Sequence, residues 1–445
     1  MSSMSSTSSP SATSARPADR PLDLLFATWE GGGVLPPTLT VARKMLARGH
    51  AVRLMGEACQ RADIEAAGVD FVPWTRAPNR PDRSRQTCPI RDWEATSPPE
   101  ALGRMIASVM GGPALAYAQD LTAELARRPA DLVVTCEMLM GVLAGCERLG
   151  QPVAALTSNI CILPLPGAPP FGGVAPARDE AERELLAEVR SGVVQLLDSG
   201  LPALNAARAE LGLTPLAHLH DQLQAAGAPL LLGVSEAFDF AWQDRPAWVR
   251  YVGPQIADPP SGPAWRSPWG EDPRPLVLVG FSTTFQGHVG VLQRVLDALA
   301  ALPVRVLLTT GEAVDPCELA PAANAVVVRQ APHVAVMGEA ALVVTHGGHG
   351  TLIRAVAQGL PSLVIPHGRD QNDNALRVTE RGAGLSLPPA ATAAEIAEAA
   401  RRLLSEPGFK AAAQRLGEAV RRDALASPVV QELEALAVTR ALQPA

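Results

Sequence analysis

Short apolar runs alternate with longer segments of helix-forming residues along most of the chain. The first apolar run covers residues 22–27, and a helix-like segment at 38–48 separates it from a second run at 51–55. Gly49 stands where the glycine that ends a helix is expected. The same order recurs at 131–157. Such alternation predicts β-α-β units and therefore a parallel sheet covered by helices on both faces.

The alternation begins again after a segment of turn-forming residues. Residues 255–274 are rich in proline and glycine, which predicts a linker between two domains. We predict an α/β fold in which two Rossmann-like, doubly wound halves face each other across a cleft. The first domain is expected at 21–254 and the second, ending in helices, at 275–445. The strand patterns of the second half lie at residues 275–280, 304–309, 325–329, 341–345 and 361–366.

Two long stretches interrupt the strand-helix order of the first half. Residues 74–120 and 160–225 are proline-rich, irregular or helical, and each is longer than a simple connection. Insertions above the carboxyl ends of parallel strands are where ligand pockets are usually built. We therefore expect these insertions to border a binding site for a small molecule.

Composition narrows the function classes. The 445 residues carry 38 basic and 45 acidic side chains, so the formal net charge of −7 offers no positive field for nucleic acid. A hydrophobic fraction of 47% argues against a disordered chain. Six scattered cysteines and the lack of a membrane-spanning apolar run favour the reducing cytoplasm. The serine-rich residues 1–20 have no apolar signal segment, so we expect a flexible, uncleaved tail there.

A glycine-rich turn is the clearest chemical signal. The apolar run 341–345 leads into His-Gly-Gly-His-Gly-Thr at 346–351, and a helix pattern continues to Gln358. Unpaired N–H groups at a helix start and the positive end of its dipole suit a phosphate. Glycines also remove Cβ atoms that would keep an anion away. On these grounds the turn is a candidate diphosphate site.

The surrounding sequence strengthens this interpretation. Residues 346–384 read HGGHGTLIRAVAQGLPSLVIPHGRDQNDNALRVTERGAG, with an Asp-Gln pair and then an Asn-Ala pair downstream of the turn. This stretch resembles the nucleotide-sugar-binding signature of family 1 glycosyltransferases of the two-domain GT-B fold, particularly bacterial enzymes that act on macrolide and polyketide antibiotics. The resemblance extends over nearly the whole chain after the serine-rich tail and is weakest in the two insertions.

The resemblance implies a set of donor-binding residues. Asp370 and Gln371 would bind hydroxyls of the transferred hexose, since a carboxylate beside an amide can both accept and donate hydrogen bonds. Ser282 and Thr283 would supply a second phosphate contact. A solvated loop carboxylate at Asp370 and an ordinary turn residue at Ser282 are the alternative interpretations. The residues expected to hold the donor diphosphate are His346, Gly347, Gly348, Gly350 and Thr351.

The chain departs from the family pattern in the donor lobe at two places. Arg354 stands where a glutamate usually binds the nucleotide ribose, and an arginine cannot accept that hydrogen bond. Gln330 replaces the tryptophan that commonly stacks on the base. Whether the base is uracil or thymine therefore stays open.

The usual catalytic base is also missing. Gly33 takes the place of the family's histidine in the loop after the first strand, and Cys136 that of its supporting aspartate. Glu30 in the same loop is the first substitute candidate, and Glu137 and His288 are alternatives. Glu30 could instead cap turn N–H groups. A phenol that ionises readily, or a nucleophilic aromatic carbon, would reduce the need for a base.

These features together predict an inverting glycosyltransferase. It would move a hexose from a UDP- or dTDP-sugar to a hydrophobic polyketide or phenolic aglycone, without a metal or cofactor, because the helix start would stabilise the leaving diphosphate. We expect a cytoplasmic monomer or homodimer that neither binds nucleic acid nor inserts stably into membranes. The alternatives are a catalytically silent sugar-nucleotide-binding partner protein and a lipid or sterol glycosyltransferase. The absence of a basic amphipathic segment argues against the last of these.

Overall fold

The computed structural model describes residues 20–256, 265–281, 286–312 and 314–439. Most of the predicted tail, the middle of the predicted linker, and both Ser282 and Thr283 lie outside these ranges. The described residues form two lobes, each built on one parallel sheet.

The first lobe contains a seven-stranded sheet in the order β3-β2-β1-β4-β5-β6-β7, and its neighbouring strands are all parallel. The central strands are almost completely buried, as their apolar runs predict. The strands are β1 (Asp23–Ala27), β2 (Ala51–Gly56), β3 (Asp70–Pro73), β4 (Leu132–Thr135), β5 (Val153–Thr157), β6 (Leu230–Leu232) and β7 (Val249–Tyr251).

The second lobe repeats the design with six parallel strands in the order β10-β9-β8-β11-β12-β13. In both lobes the strand order reverses beside a central strand, and ligands of open α/β sheets bind at such a point. The strands are β8 (Leu276–Gly280), β9 (Arg305–Thr309), β10 (Ala325–Val328), β11 (Ala340–Thr345), β12 (Ser362–Val364) and β13 (Gly384–Ser386).

Helices cover both sheets. A π-helical turn at Ile106–Met110 and a 3-10 turn at Asp92–Glu94 shape the first insertion. The α-helices are α1 (Leu35–Ala47), α2 (Arg61–Ala66), α3 (Pro98–Met105), α4 (Ala114–Arg127), α5 (Met140–Leu149), α6 (Glu180–Asp198), α7 (Leu201–Glu210), α8 (Gln222–Ala225), α9 (Val289–Ala300), α10 (His333–Glu339), α11 (His349–Ala357), α12 (Gln371–Thr379), α13 (Ala393–Ser405), α14 (Pro407–Leu425) and α15 (Val429–Thr439).

The predicted α/β fold with two doubly wound halves is confirmed, and two short edge strands are additions to it. β3 is only partly buried and ends in a proline, so its sequence lacks a buried-strand pattern. β13 has three residues and begins with a glycine. The predicted start of the first helix at residue 38 is also too late. α1 begins at Leu35, because prolines are well tolerated in the first turn of a helix.

The last helix does not stay with the half in which the sequence places it. Val429, Leu433 and Ala437 lie on one face of α15 and join the core beneath the first sheet. Glu434 also accepts hydrogen bonds at 3.0 Å from Arg48 Nε and shares a 3.0 Å contact with His50 Nε2. The strands of the second sheet all lie between residues 276 and 386, whereas the terminal helix belongs by its packing to the first lobe.

Candidate active site

A cavity of about 1070 Å³ lies between the lobes, at the carboxyl ends of both sets of strands. Loops after β1, β4 and β5 border it on one side, and the glycine-rich turn after β11 and the loop after β12 border it on the other. The two insertions close it with an apolar wall, as expected from the sequence. We call it the acceptor wall after the acceptor expected from the sequence, and its apolar residues include Trp93, Leu102, Met105, Ile162, Phe171, Val193 and Leu196.

The glycine-rich turn is a helix start open to the cavity. Gly348 is the N-cap of α11, and Gly350 and Thr351 lie in its first turn and line the cavity. Gly347 has a φ of +93°, and a Cβ there would approach Val364 Cγ1 to 2.7 Å. Glycine is therefore required at this position for both conformation and space. The first N–H groups of α11, which lack helical partners, are left available to an anion.

His346 lies over this turn as a neutral ring. A Cβ on Gly348 would collide with its Nε2, so the ring and the glycine backbone are in close contact. Burial, together with the charges of His367 and Arg369, lowers the pKa of His346 to about 3. His346 can therefore contribute a hydrogen bond to a ligand but not a positive charge.

Asp370 and Gln371 lie at the start of α12, beside the glycine turn. Asp370 Oδ2 accepts hydrogen bonds from Asn374 Nδ2 at 2.8 Å and from Asn159 Nδ2 of the first lobe at 3.3 Å. Asn374 Nδ2 also donates to the carbonyl of Gly347 at 2.9 Å. The expected sugar-binding carboxylate and the expected phosphate turn are thus joined through one amide.

Gln371 is held at both ends of its amide. Its Oε1 accepts from the backbone N–H of His367 at 2.7 Å and of Gly368 at 3.2 Å, and its Nε2 donates to Gln286 Oε1 at 3.0 Å. These bonds fix the orientation of a side chain that lines the cavity. Asp370 Oδ1 has no hydrogen-bonding partner within the described ranges, so Asp370 keeps an acceptor for a ligand.

The structure does not bring Glu30 into the cavity. The described residues that line it include Trp29 and Gly31 but not Glu30. Glu30 Oε1 accepts from the N–H of Gly32 at 2.8 Å, and Oε2 forms a 2.9 Å ion pair with Arg83. Oε1 therefore caps a turn N–H, which is the role that the sequence left as an alternative, and Oε2 is held by Arg83.

Glu137 is placed differently. It follows β4, lines the cavity and is 3% exposed, and its Oε2 has no hydrogen-bonding partner in the described part of the chain. Burial raises the pKa of its carboxyl to about 7, and the nearby charge of Asp370 adds to the shift. A carboxyl with such a pKa accepts a proton readily near neutral pH. Cys136 lines the cavity beside it, but burial raises its pKa to about 12.

His288 is buried among other rings. Its imidazole lies 5.4 Å from the ring of Phe281 and 4.6 Å from that of His367, measured between centroids. Burial lowers its pKa well below the usual value. It is not among the described residues that line the cavity.

Several cavity residues were not identified from the sequence. Asn374 belongs to the Asn-Ala pair of the signature, but its bonds to Asp370 and to the glycine turn were not predicted, although one helical turn separates it from Asp370. Asn159, Asp92 and Arg369 are not marked by any local pattern. Arg354, which replaces the family's glutamate, lines the cavity and donates from Nη1 to the carbonyl of Gly350 at 2.9 Å.

Comparisons with known proteins agree with this geometry. The C-terminal domain of the erythromycin biosynthesis protein CIII-like family matches residues 293–436. The chain is 31% identical over 429 residues to 4'-demethylrebeccamycin synthase of Lentzea aerocolonigenes, covering 91% of this chain and 97% of that protein. It is 26% identical to demethyllactenocin mycarosyltransferase of Streptomyces fradiae, with 92% and 86% covered.

Solved structures show the same fold. The glycosyltransferase of kitacinnamycin superposes with a TM-score of 0.71 at 19% identity, covering 95% of this chain and all of that one. A spinosyn rhamnosyltransferase complexed with thymidine diphosphate has a TM-score of 0.65 at 18% identity, with 93% and 100% covered. Fold and relatives together define a glycosyltransferase of the GT-B fold. The chain belongs to the family of bacterial antibiotic-biosynthesis glycosyltransferases that includes 4'-demethylrebeccamycin synthase.

None of the helices in the described part of the chain combines the length and the apolar character needed to cross a bilayer. No group of three or more histidine, cysteine, aspartate or glutamate side chains among the described residues is arranged to hold a metal ion.

Proposed function

We propose that the protein is an inverting hexosyltransferase that uses a UDP- or dTDP-sugar and glycosylates a hydrophobic polyketide or phenolic aglycone. The observation that carries this proposal is the convergence of three groups on one cavity. These are the helix start at Gly348–Thr351, the Asp370–Gln371 pair and the buried carboxyl of Glu137. A thymidine diphosphate complex of a structural neighbour supports dTDP as the nucleotide.

The donor would bind with its diphosphate on the helix start of α11 and its hexose on Asp370 and Gln371. Negative charge grows on the diphosphate as the glycosidic bond breaks, and the fixed N–H dipoles are oriented to stabilise it. This arrangement supports transfer without a metal ion. Ser282 and Thr283 remain candidates for a second phosphate contact.

The acceptor would lie on the apolar wall of the first lobe, with its nucleophilic atom near Glu137. Glu137 takes the proton of an acceptor hydroxyl, and the oxygen attacks the anomeric carbon of the hexose. The bond between that carbon and the diphosphate breaks on the opposite face, and the nucleoside diphosphate leaves with the electron pair. One displacement inverts the anomeric configuration.

Matched glutamine substitutions test the choice of base. We expect Glu137→Gln to lower kcat about 10²- to 10⁴-fold, because an amide cannot accept the acceptor's proton. Affinity for the nucleotide sugar, measured by calorimetry, should stay unchanged. Glu30→Gln is the control, and its kcat should fall far less because Glu30 serves the loop. If Glu30→Gln abolished transfer while Glu137→Gln did not, the assignment would be reversed.

A screen of donors and acceptors tests the reaction itself. UDP- and dTDP-hexoses are incubated with phenolic and macrolide acceptors, with and without EDTA, and the products are detected by mass spectrometry. We expect a mass gain of one hexose that is insensitive to EDTA. Gly33 in place of a histidine leaves a silent sugar-nucleotide-binding protein as the second candidate. That protein would bind the donor in calorimetry without ever transferring or hydrolysing it.

A further inference from the structure

One ion pair connects the acceptor wall to the loop that carries Asp370. Arg369 Nε and Nη2 contact Asp92 Oδ2 at 2.8 and 2.7 Å, and the two side chains are only 17% and 9% exposed. Asp92 belongs to the first insertion, and its neighbour Trp93 is part of the acceptor wall. Arg369 immediately precedes Asp370 in the second lobe. Both members of the pair line the cavity.

The backbone of this loop is in an unusual conformation. Arg369 has a φ of +55°, in the left-handed region that residues other than glycine rarely occupy. Such conformations persist only where surrounding contacts impose them, and they cluster at functional sites. The ion pair is a contact of this kind, since it holds the Arg369 side chain from the opposite lobe. The conformation of Arg369 in turn sets the direction in which Asp370 leaves the loop.

Asp92 depends on Arg369 for its charge compensation. Both contacts with the guanidinium go to Oδ2, and Oδ1 is buried without a hydrogen-bonding partner in the described part of the chain. A buried carboxylate that loses its cation is strongly disfavoured. The two residues are therefore expected to act as a unit, so that removing either one disturbs the loop.

The ion pair between Asp92 and Arg369 is not needed to hold the two lobes together, because other contacts do so. Asp239 and Arg377 form a completely buried ion pair at 2.8 Å, which fixes the last turn of α12 to the first lobe. Asp373 Oδ1 also accepts from the N–H groups of Gly172 and Gly173 at 3.0 and 3.1 Å. The Asp92–Arg369 pair contacts the loop before α12 instead, where the hexose is proposed to bind.

We propose that Asp92 and Arg369 are positioning residues for the donor hexose, and this inference rests on the proposed function of Asp370 and Gln371. The pair holds the hexose-binding loop against the acceptor wall. It therefore aligns the anomeric carbon with the acceptor, and it leaves the diphosphate contacts at α11 unaffected.

The test compares the nucleotide sugar with the free nucleoside diphosphate. Asp92→Asn should lower kcat/KM about tenfold to a hundredfold for the nucleotide sugar, since small displacements of reacting groups have effects of this size. The Ki of free UDP or dTDP should stay within about twofold, because neither compound carries a hexose. Unchanged kcat/KM would overturn the proposal. An equal loss of affinity for the free diphosphate would overturn it as well.

A double-mutant cycle tests whether the two residues act together. Asp92→Asn and Arg369→Gln should each reduce kcat/KM, and the double variant should be no worse than the more damaged single variant. Additive losses would show that the residues act separately and would overturn the proposal. If Arg369→Gln fails to fold, Arg369→Lys replaces it, because lysine keeps the charge but lacks the planar fork that holds one oxygen from two nitrogens.

An exposed ion pair between the same lobes provides the control. Arg178 and Glu380 pair at 2.6 Å, and their side chains are 68% and 37% exposed. Glu380 directly follows α12, at the end of this helix away from Asp370. Arg178→Gln should leave kcat/KM within about twofold of the original value. Asp370→Asn separates the two hypotheses. If it has no effect, the proposed sugar site is wrong, whereas damage by Asp370→Asn with an intact Asp92→Asn enzyme rejects only the positioning role.

Discussion

Each lobe has a glycine-rich loop at the carboxyl end of a central strand, yet only one of the two loops suits an anion. The first-lobe loop leads into α1, which has Pro36 and Pro37 in its first turn. Proline has no backbone N–H, so this helix start has lost donors. α11 opens instead with His349, Gly350 and Thr351, which all keep their N–H groups. A repeated topology therefore does not repeat the chemistry, because the residues of the first turn decide it.

The two loops also differ in how they use their glycines. A Cβ at Gly33 would meet nothing within 4 Å, whereas one at Gly347 would approach Val364 Cγ1 and the carbonyl of Gln371. Gly33 is thus replaceable, and Gly347 is required by the space and conformation of its turn. The first loop instead borders the cavity that contains the carboxyl of Glu137. Burial raises the pKa of this carboxyl to about 7, so its charge changes near neutral pH.

Alanine at each glycine gives the largest expected contrast between the loops. Gly347→Ala forces a side chain into the left-handed region and against Val364, so the turn must shift. We expect kcat/KM for the donor to fall about 100-fold or more, since the phosphate contacts are displaced. Gly33→Ala should stay within about twofold. Steady-state kinetics checks both, and equal losses at the two positions would remove the distinction.

The pH dependence of stability gives the next largest effect. Burial raises the pKa of Glu137 to about 7 from 4.5, so the folded state favours its protonated form. Its stabilising contribution is present below the unfolded pKa and is lost as pH rises through about 7, which amounts to about 3 kcal/mol. Glu137→Gln carries no charge and should be more stable than the original protein at pH 8. At pH 4 the two should be similar.

Thermal unfolding at several pH values measures this difference in stability between Glu137→Gln and the original protein. Steady-state kinetics provides a second test. Activity that requires the Glu137 carboxylate should rise with pH through about 7, and the variant should lack this rise. A difference in stability that did not change with pH would contradict the assigned pKa. It would also mean that the group whose charge changes near neutral pH is not Glu137 of the first lobe.

Matched threonines give the smallest of the expected effects. Thr351 lies in the first turn of α11 and lines the cavity, whereas Thr38 lies in the first turn of α1 and donates to the carbonyl of Val34 at 2.9 Å. Thr351→Val should raise the donor KM about tenfold through loss of one hydrogen bond to a phosphate. Thr38→Val should leave the donor KM unchanged. A similar rise in both variants would contradict an anion site confined to the second lobe.

The sequence was informative where function depends on the local backbone. The helix start after β11 follows from its glycines and from the apolar run before them, so its geometry could be predicted. The choice between Glu30 and Glu137 could not be made in this way. Arg83, which engages Glu30, lies 53 residues away along the chain, and the burial of Glu137 depends on the packing of the whole cavity. The edge strands β3 and β13 lack a buried apolar pattern for a similar reason, because the sheet supplies their context.

The return of α15 to the first lobe has a consequence for engineering. Val429, Leu433 and Ala437 fill the core beneath the first sheet, so the lobe that is proposed to bind the acceptor is assembled from two separate stretches of chain. A chimaera joined only in the linker at residues 255–274 would combine the first sheet of one parent with the α15 helix of the other. Exchange of acceptor-binding halves between relatives therefore requires two crossover points, the second of them just before residue 429.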